Sequence, residues 1–332
     1  MAKFSETGPR TPVVESIRVD KVSPSYRTGH TIRAILAWSF ALVGLIPVAV
    51  MIMTAFKTRS DIVSTPPKMI FTPALEGFVY LLTDRVQIST AEKEKLQANI
   101  ENLGWMDKVA LKSGQKINGP SEFVGTVKNS IIIAGLSTII AITLGLFAAY
   151  AFSRFNVMGK NDLLLFILST RMLPAVVVTI PLFLMYRQLK LYDTYTGMTL
   201  LYAVFSLSLV VWLLKGFIDE IPTEYEEAAL IDGYSRMQAF YKIVIPQAMT
   251  GIAATTVFVL IFAWNEYAFA LMMTSDSART APPGIATMLG VGGIEWSAIA
   301  AGALVFLVPV VIITFALRNH LLRGVTFGAI RQ

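Results

Sequence analysis

Cysteine is absent from all 332 residues, so neither a disulfide nor a thiolate metal site can form. Histidine occurs only as His30 and His320, one towards each end, which leaves almost no material for imidazole catalysis or a zinc site. No Gly-x-x-x-x-Gly-Lys stretch is present, so the chain does not itself cradle ATP phosphates. Charge is scarce as well: 15% of residues are charged, where soluble domains carry about a quarter. The net charge of +6 is scattered at the ends of apolar runs rather than gathered into a patch, which argues against nucleic acid as a partner. The apolar runs also lack paired carboxylates or a nucleophile–base pair, which removes an intramembrane enzyme.

What is there is apolar. Hydrophobic residues make up 55% of the chain and its mean hydropathy is +0.61, too little polar surface for a water-soluble fold. Residues 1–33 are polar and basic and read as a disordered cytoplasmic tail. The run 34–56, kinked at Pro47, is long enough to cross roughly 30 Å of hydrocarbon. Residues 57–122 form a polar loop with one expected helix, Thr90–Leu103, capped by Ser89 and Glu92 and ended by Gly104. This loop is either a small extracytoplasmic subdomain that touches a partner or a solvated insertion. Five further runs follow, at 125–152, 162–186, 194–218, 247–273 and 297–317, each long enough to span. Arg154, Lys160, Lys215, Arg236, Lys242, Arg318 and Arg323 flank one side of the short loops, and only Arg187, Lys190 and Arg279 the other. The positive-inside rule then puts both termini and the 219–246 loop in the cytoplasm. The expected fold is all-α, with six transmembrane helices.

The 219–246 loop is the most charged segment of the second half. Thr223 and Glu226 have the spacing of a capping box, and Glu224, Glu226 and Glu227 crowd the positive end of the helix dipole. Gly233 supplies a left-handed stop, and a second helix starts at Ser235, with Gln238 as reciprocal cap, and runs to Ile245 before Pro246. A short helix with an acidic start can dock in a groove on another protein. Ala228 and Ala229 keep one face thin, and Glu227 is the natural ion-pair partner for a basic residue there. The plain alternative is an interfacial helix whose acids only satisfy its dipole.

Two buried polar features stand out in the runs. Arg171 lies about nine residues into the 162–186 run, roughly 14 Å deep in a straight helix, with Pro174 and Pro181 beyond it. It reads as lining a pathway or as a structural ion pair or carbonyl cap between helices. Trp264-Asn265-Glu266-Tyr267 places one carboxylate deep in the fifth long run beside two aromatics suited to sugar stacking. An interhelical hydrogen-bond cluster accounts for it equally well. Glu266 also leaves open a stand-alone proton-coupled secondary transporter.

Glu227-Ala228-Ala229, three residues, Gly233, nine residues and Ile243-Val244-Ile245-Pro246 together resemble the EAA loop of ABC-importer permeases, with Ile245 where Leu is usual. Asp232 before the glycine resembles the carbohydrate, maltose permease G-like branch. Thr170-Arg171-Met172-Leu173-Pro174, Trp264-Asn265-Glu266-Tyr267 and Gly324-Val325-Thr326-Phe327-Gly328-Ala329 extend the resemblance over about 123–332. It implies a type I (MetI-like) importer core in residues 123–322 and a coupling helix seated in an ATPase subunit, with Glu226, Glu227, Ala228, Ala229, Asp232 and Gly233 as coupling residues. The implied partners are a second homologous permease, two ATPase subunits, an extracytoplasmic solute-binding protein and the surrounding membrane lipid. ATP and Mg would be bound by the ATPase, and no cofactor or metal by this chain. The implied solute is a sugar or polyol. Arg171, Trp264, Asn265, Glu266 and Tyr267 become candidates for the translocation pathway. Gly290, Gly292 and Gly293 become candidates for a loop that probes the binding protein, and the 323–332 tail for reaching between the ATPases.

Overall fold

A computed structural model describes residues 24–290 and 293–326, with side chains over 32–288 and 293–316. Two units divide at Val50 and Met51, inside the first helix, α1 (Pro24–Ala55). Helix therefore begins within the polar N-terminal stretch, ten residues before the apolar run expected to start at 34.

Four more helices are long and apolar enough to cross a membrane: Phe123–Arg154, Tyr195–Asp219, Arg236–Trp264 and Trp296–Ala316. The run expected at 162–186 reaches span length only as a pair, Lys160–Met172 and Ala175–Gln188, bent by 93°. The break has a local cause. Pro174 offers no N–H and forces Leu173 out of helical space (φ −70°, ψ 123°), so the helix tightens into a 3₁₀ turn at Thr170–Met172 and restarts beyond the proline. The run expected at 247–273 is also interrupted, since its helix ends at Trp264 and a new one starts at Ala268. A mostly helical membrane protein with five unbroken candidate spans and one broken one results.

Polar region 57–122 holds far more structure than the single expected helix. After α2 (Arg59–Ile62) and α3 (Glu76–Leu82), strand β1 (Thr83–Gln87) pairs antiparallel with β2 (Gln115–Pro120). Between the strands lie α4 (Thr90–Ala98) and α5 (Trp105–Lys112). Ser89 does cap α4, accepting from the Glu92 N–H, but α4 stops at Ala98, and Gly104 starts the next helix rather than ending this one. Val79 and Leu81 of α3 are fully buried. A Cβ on Gly77 would lie 2.6 Å from the Ser297 carbonyl and 2.8 Å from that of Ala55, so glycine permits the close approach.

The bundle proper comprises α6 (Phe123–Arg154), α7 (Lys160–Ser169), α8 (Ala175–Gln188), α9 (Tyr195–Asp219), α10 (Glu224–Ile231), α11 (Arg236–Ala239), α12 (Ile245–Trp264), α13 (Ala268–Met273), α14 (Ala281–Ala286) and α15 (Trp296–Thr326). A π-helical segment, Phe240–Val244, joins α11 to α12. The helices α6, α9 and α12 pack closely because small residues let backbones approach. A Cβ on Gly145 would fall 2.3 Å from Val210, and one on Gly251 2.3 Å from the Phe217 ring. One buried cluster gathers Ile133, Met198, Trp264 and Met273, and a second gathers Ala141, Val210, Leu214, Phe240 and Val244.

Candidate functional site

Helix α10 and its neighbours form a compact elbow at one end of the bundle. Gly233 adopts φ +89° and closes α10 with a double hydrogen bond: Tyr234 N–H to Ala229 O (2.9 Å) and Gly233 N–H to Leu230 O (3.2 Å). Ser235 and Gln238 form a reciprocal capping box on α11. The Thr223–Glu226 box does not form. Thr223 is already helical (φ −66°, ψ −23°), not in the extended conformation from which a cap side chain reaches the free N–H groups, and it makes no side-chain cap hydrogen bond.

Glu226 instead turns inward. Its carboxylate accepts from Arg154 Nε at 2.5 Å and from the Tyr150 hydroxyl at 2.8 Å, both at the end of α6. The Arg154 and Glu226 side chains are 8% and 9% exposed, and Arg154 Nη2 also donates to the Ile221 carbonyl at 2.7 Å. Ala229 packs inward beside Glu226. A thin face shared by Ala228 and Ala229 is thus not available, because one side of α10 is spent on the bundle. Glu224, Tyr225, Glu227, Ala228, Ile231, Asp232 and Gly233 remain exposed, with Ile231 at 86%. The outer edge therefore combines acids that have no ion pair among the described residues with large apolar groups, a composition suited to a protein partner.

Arg171 occupies the 3₁₀ turn at the break between α7 and α8, half-buried, with Cζ 5.0 Å above the Phe262 ring. The bend places it at a corner rather than midway along a straight helix. Trp264 is buried, stacked on Phe306 at 4.6 Å, and its indole N–H donates to the Phe306 carbonyl at 3.2 Å. It cannot also stack on a sugar in this conformation. Glu266 caps α13, accepting from the N–H groups of Phe269 (2.8 Å) and Ala270 (3.0 Å) and from the Tyr202 hydroxyl (2.8 Å). Asn265 and Tyr267 are exposed, although Asn265 also bonds back to the Ile261 carbonyl. Of the four, these two are free to meet a solute.

At the end opposite the elbow, Asp193 sits in the α8–α9 connection at φ +54°. Its carboxylate accepts from the N–H groups of Ser275 (3.1 Å), Asp276, Ser277 (3.0 Å) and Ala278 (3.1 Å), and from the Ser275 hydroxyl. Partial burial pushes its pKa up, but these donors outweigh that and hold the carboxyl below its usual range. Asn129 of α6 braces the same connection by donating to the Ser277 and Arg279 carbonyls. Gly290 ends strand β3 (Leu289–Gly290), and Gly293, at φ +106°, begins β4 (Gly293–Ile294), its antiparallel partner. Gly292 lies outside the described residues, as do 327–332 of the tail, whereas 323–326 continue α15. No group of three or more His, Asp or Glu residues able to hold a metal occurs among the described residues.

Sequence reasoning overlooked Tyr150, Asp193 and Asn129, and counted Arg154 only as an orientation charge. An Arg ending one span and a Glu some 70 residues later carry no local sign that they meet.

Residues 141–327 match the family described as binding-protein-dependent transport system inner membrane component. The trehalose transport system permease protein of Mycobacterium tuberculosis is 37% identical over 212 residues, 63% of this chain and 77% of that protein. A trehalose/maltose transport system permease protein of Thermococcus litoralis is 35% identical over 211 residues, 63% of this chain and 76% of its own length. In three dimensions the chain resembles one from a crystal structure of a bacterial ABC transporter involved in alginate import. The TM-score is 0.62 and the identity 19%, covering 90% of this chain and 98% of that one, a likeness of fold. Sequence motif, broken-span bundle and family match agree: the chain belongs to the inner membrane components of binding-protein-dependent ABC importers.

Proposed function

We propose that this protein is one of two permeases in a bacterial importer for a sugar or sugar-like solute, oriented with the elbow and both termini in the cytoplasm. Two ATPase subunits grip the elbows of the two permeases, and a solute-binding protein delivers cargo at the opposite end. ATP and Mg are bound and turned over by the ATPases, and this chain does no bond chemistry. Nucleotide-driven closure draws the elbows together and re-packs the helices from inward- to outward-facing. The sugar class draws support from the trehalose and maltose permeases among its relatives.

The observation that carries this reading is the two-sided α10. Its inner side is locked to α6, while its outer side presents Glu227 and Ile231 with nothing to cover them among the described residues. The competing proton-coupled reading through Glu266 is disfavoured because three donors converge on that carboxylate and commit it to capping α13 and to Tyr202 of α9, a structural role. Glu227→Lys tests the docking: uptake should be lost, and the ATPase should no longer co-purify in full amount. Normal uptake with the full complement of ATPase would remove α10 from the interface.

A further inference from the structure

We infer that Tyr150, Arg154 and Glu226 form a fixed joint that makes the elbow and α6 a single lever, so that force applied at α10 reaches α6 directly as well as the spans that the chain joins to the elbow. This rests on the reading of α10 as the element that an ATPase grips. Tyr150 and Arg154 are then positioning residues, since they act through Glu226 and touch no solute or nucleotide.

Four observations converge. First, the Arg154–Glu226 pair is nearly enclosed, and Tyr150 takes the second carboxylate oxygen, so the acid is held from two sides. A buried ion pair with every partner satisfied resists sliding, because any displaced geometry leaves a desolvated charge uncompensated. Second, Arg154 also ties down the chain just ahead of α10 through the Ile221 carbonyl, fixing the entry to the elbow as well as its body. Third, a cluster of tilted and edge-on aromatic rings continues the joint beyond the charges. Tyr150 meets Phe240 at 4.5 Å, and Phe147, one turn earlier on α6, meets Phe240 at 5.5 Å and Tyr241 at 6.5 Å. Fourth, Phe240 and Tyr241 open the π-helical segment, where the altered winding turns both rings toward α6. The exit of the elbow is thereby bound to the same helix as its entry. No comparable polar joint links α10 to α9 or α12 among the described side chains; those two spans adjoin the elbow through the chain itself, α9 across residues 220–223 and α12 as the continuation of α11 and the π-helical segment, so the joint adds α6, the one of the three that the chain does not connect to the elbow.

The absence of native cysteine makes a direct test practical. Spin labels at Val124→Cys, in the exposed first turn of α6, and Met237→Cys, on the exposed side of α11, report the distance along the lever in the assembled importer. The labelled parent should show one narrow distance that is the same without nucleotide and after trapping with ATP, Mg and vanadate. Arg154→Met should retain the ATPase but lose that single distance, and the reciprocal exchange Arg154→Glu with Glu226→Arg should restore it. Tyr150→Phe, which removes one hydroxyl and leaves the ring contacts in place, should broaden the distance after trapping, and serves where Arg154→Met does not insert. A parent distance that changes on trapping, or a narrow distance surviving both Arg154→Met and Tyr150→Phe, would overturn the lever. The docking reading is judged separately, by whether Glu227→Lys sheds the ATPase.

Discussion

Neighbouring residues in one motif take opposite roles here, and side-chain direction decides which. Glu226 and Glu227 are chemically identical, yet one is buried against Arg154 and the other faces outward. The helical repeat of 100° per residue guarantees that they differ, but nothing local says which points inward. Trp264 and Tyr267 divide in the same way. Trp264→Ala should destabilise the protein by about 3–5 kcal/mol through the cavity it leaves against Phe306, read as a lower melting temperature in detergent. Tyr267→Ala should leave melting nearly unchanged and act, if on anything, on the apparent affinity for solute. Glu266→Gln should cost about 1.5–3 kcal/mol, the scale of hydrogen bonds to a charged group, while ATP-driven uptake persists. Uptake that instead tracked a proton gradient and vanished in Glu266→Gln would revive the proton-coupled alternative. Residue types and spacings were thus legible in the sequence, whereas the partners of Glu226, Glu266 and Asp193 were not, because each partner lies on an element distant in the chain.

Helices and connections show where periodicity suffices and where it does not. Long apolar runs announced the straight spans because twenty or so apolar residues have few other soluble uses. The α7–α8 break was visible only as Pro174, and a proline in an apolar run is compatible with either a mild kink or a sharp corner. The strands escaped notice because β1 is short and its partner follows only after two helices. At the α8–α9 connection, Asp193 fastens the 275–278 segment, and pH should test this clasp. Its folded pKa lies below the unfolded value, so its contribution is complete above about pH 4, near the reference aspartate value, and is lost as pH falls through the folded pKa. Asp193→Asn should remove that acid-side dependence, checked by melting curves between neutral and acid pH. Gly251 makes a separate prediction for the α9–α12 contact. Gly251→Leu would drive a side chain into the Phe217 ring and should cost about 1–3 kcal/mol or more, seen as reduced yield of folded protein.

The larger unit, from Met51 on, has two ends joined by a bundle whose helices approach closely at glycines such as Gly145 and Gly251. At one end α10 offers an acidic, partly apolar edge; at the other Asp193, Asn129 and the β3–β4 hairpin shape the connections that the proposed orientation turns toward the binding protein. Deleting 323–332 should reduce the coupling of ATP hydrolysis to transport more than it reduces protein abundance; equal losses in both would reduce the tail to a folding element. The β1–β2 ladder carries a practical corollary. Gln87 and Gln115 face each other across it, so everything between them leaves and returns at one gate. A peptide tag spliced into the exposed α4 can therefore hang from that gate as an ornament does from a ring, leaving the bundle to assemble beneath it. Antibody staining of intact, unpermeabilised cells would then report directly which side of the bilayer this ring decorates.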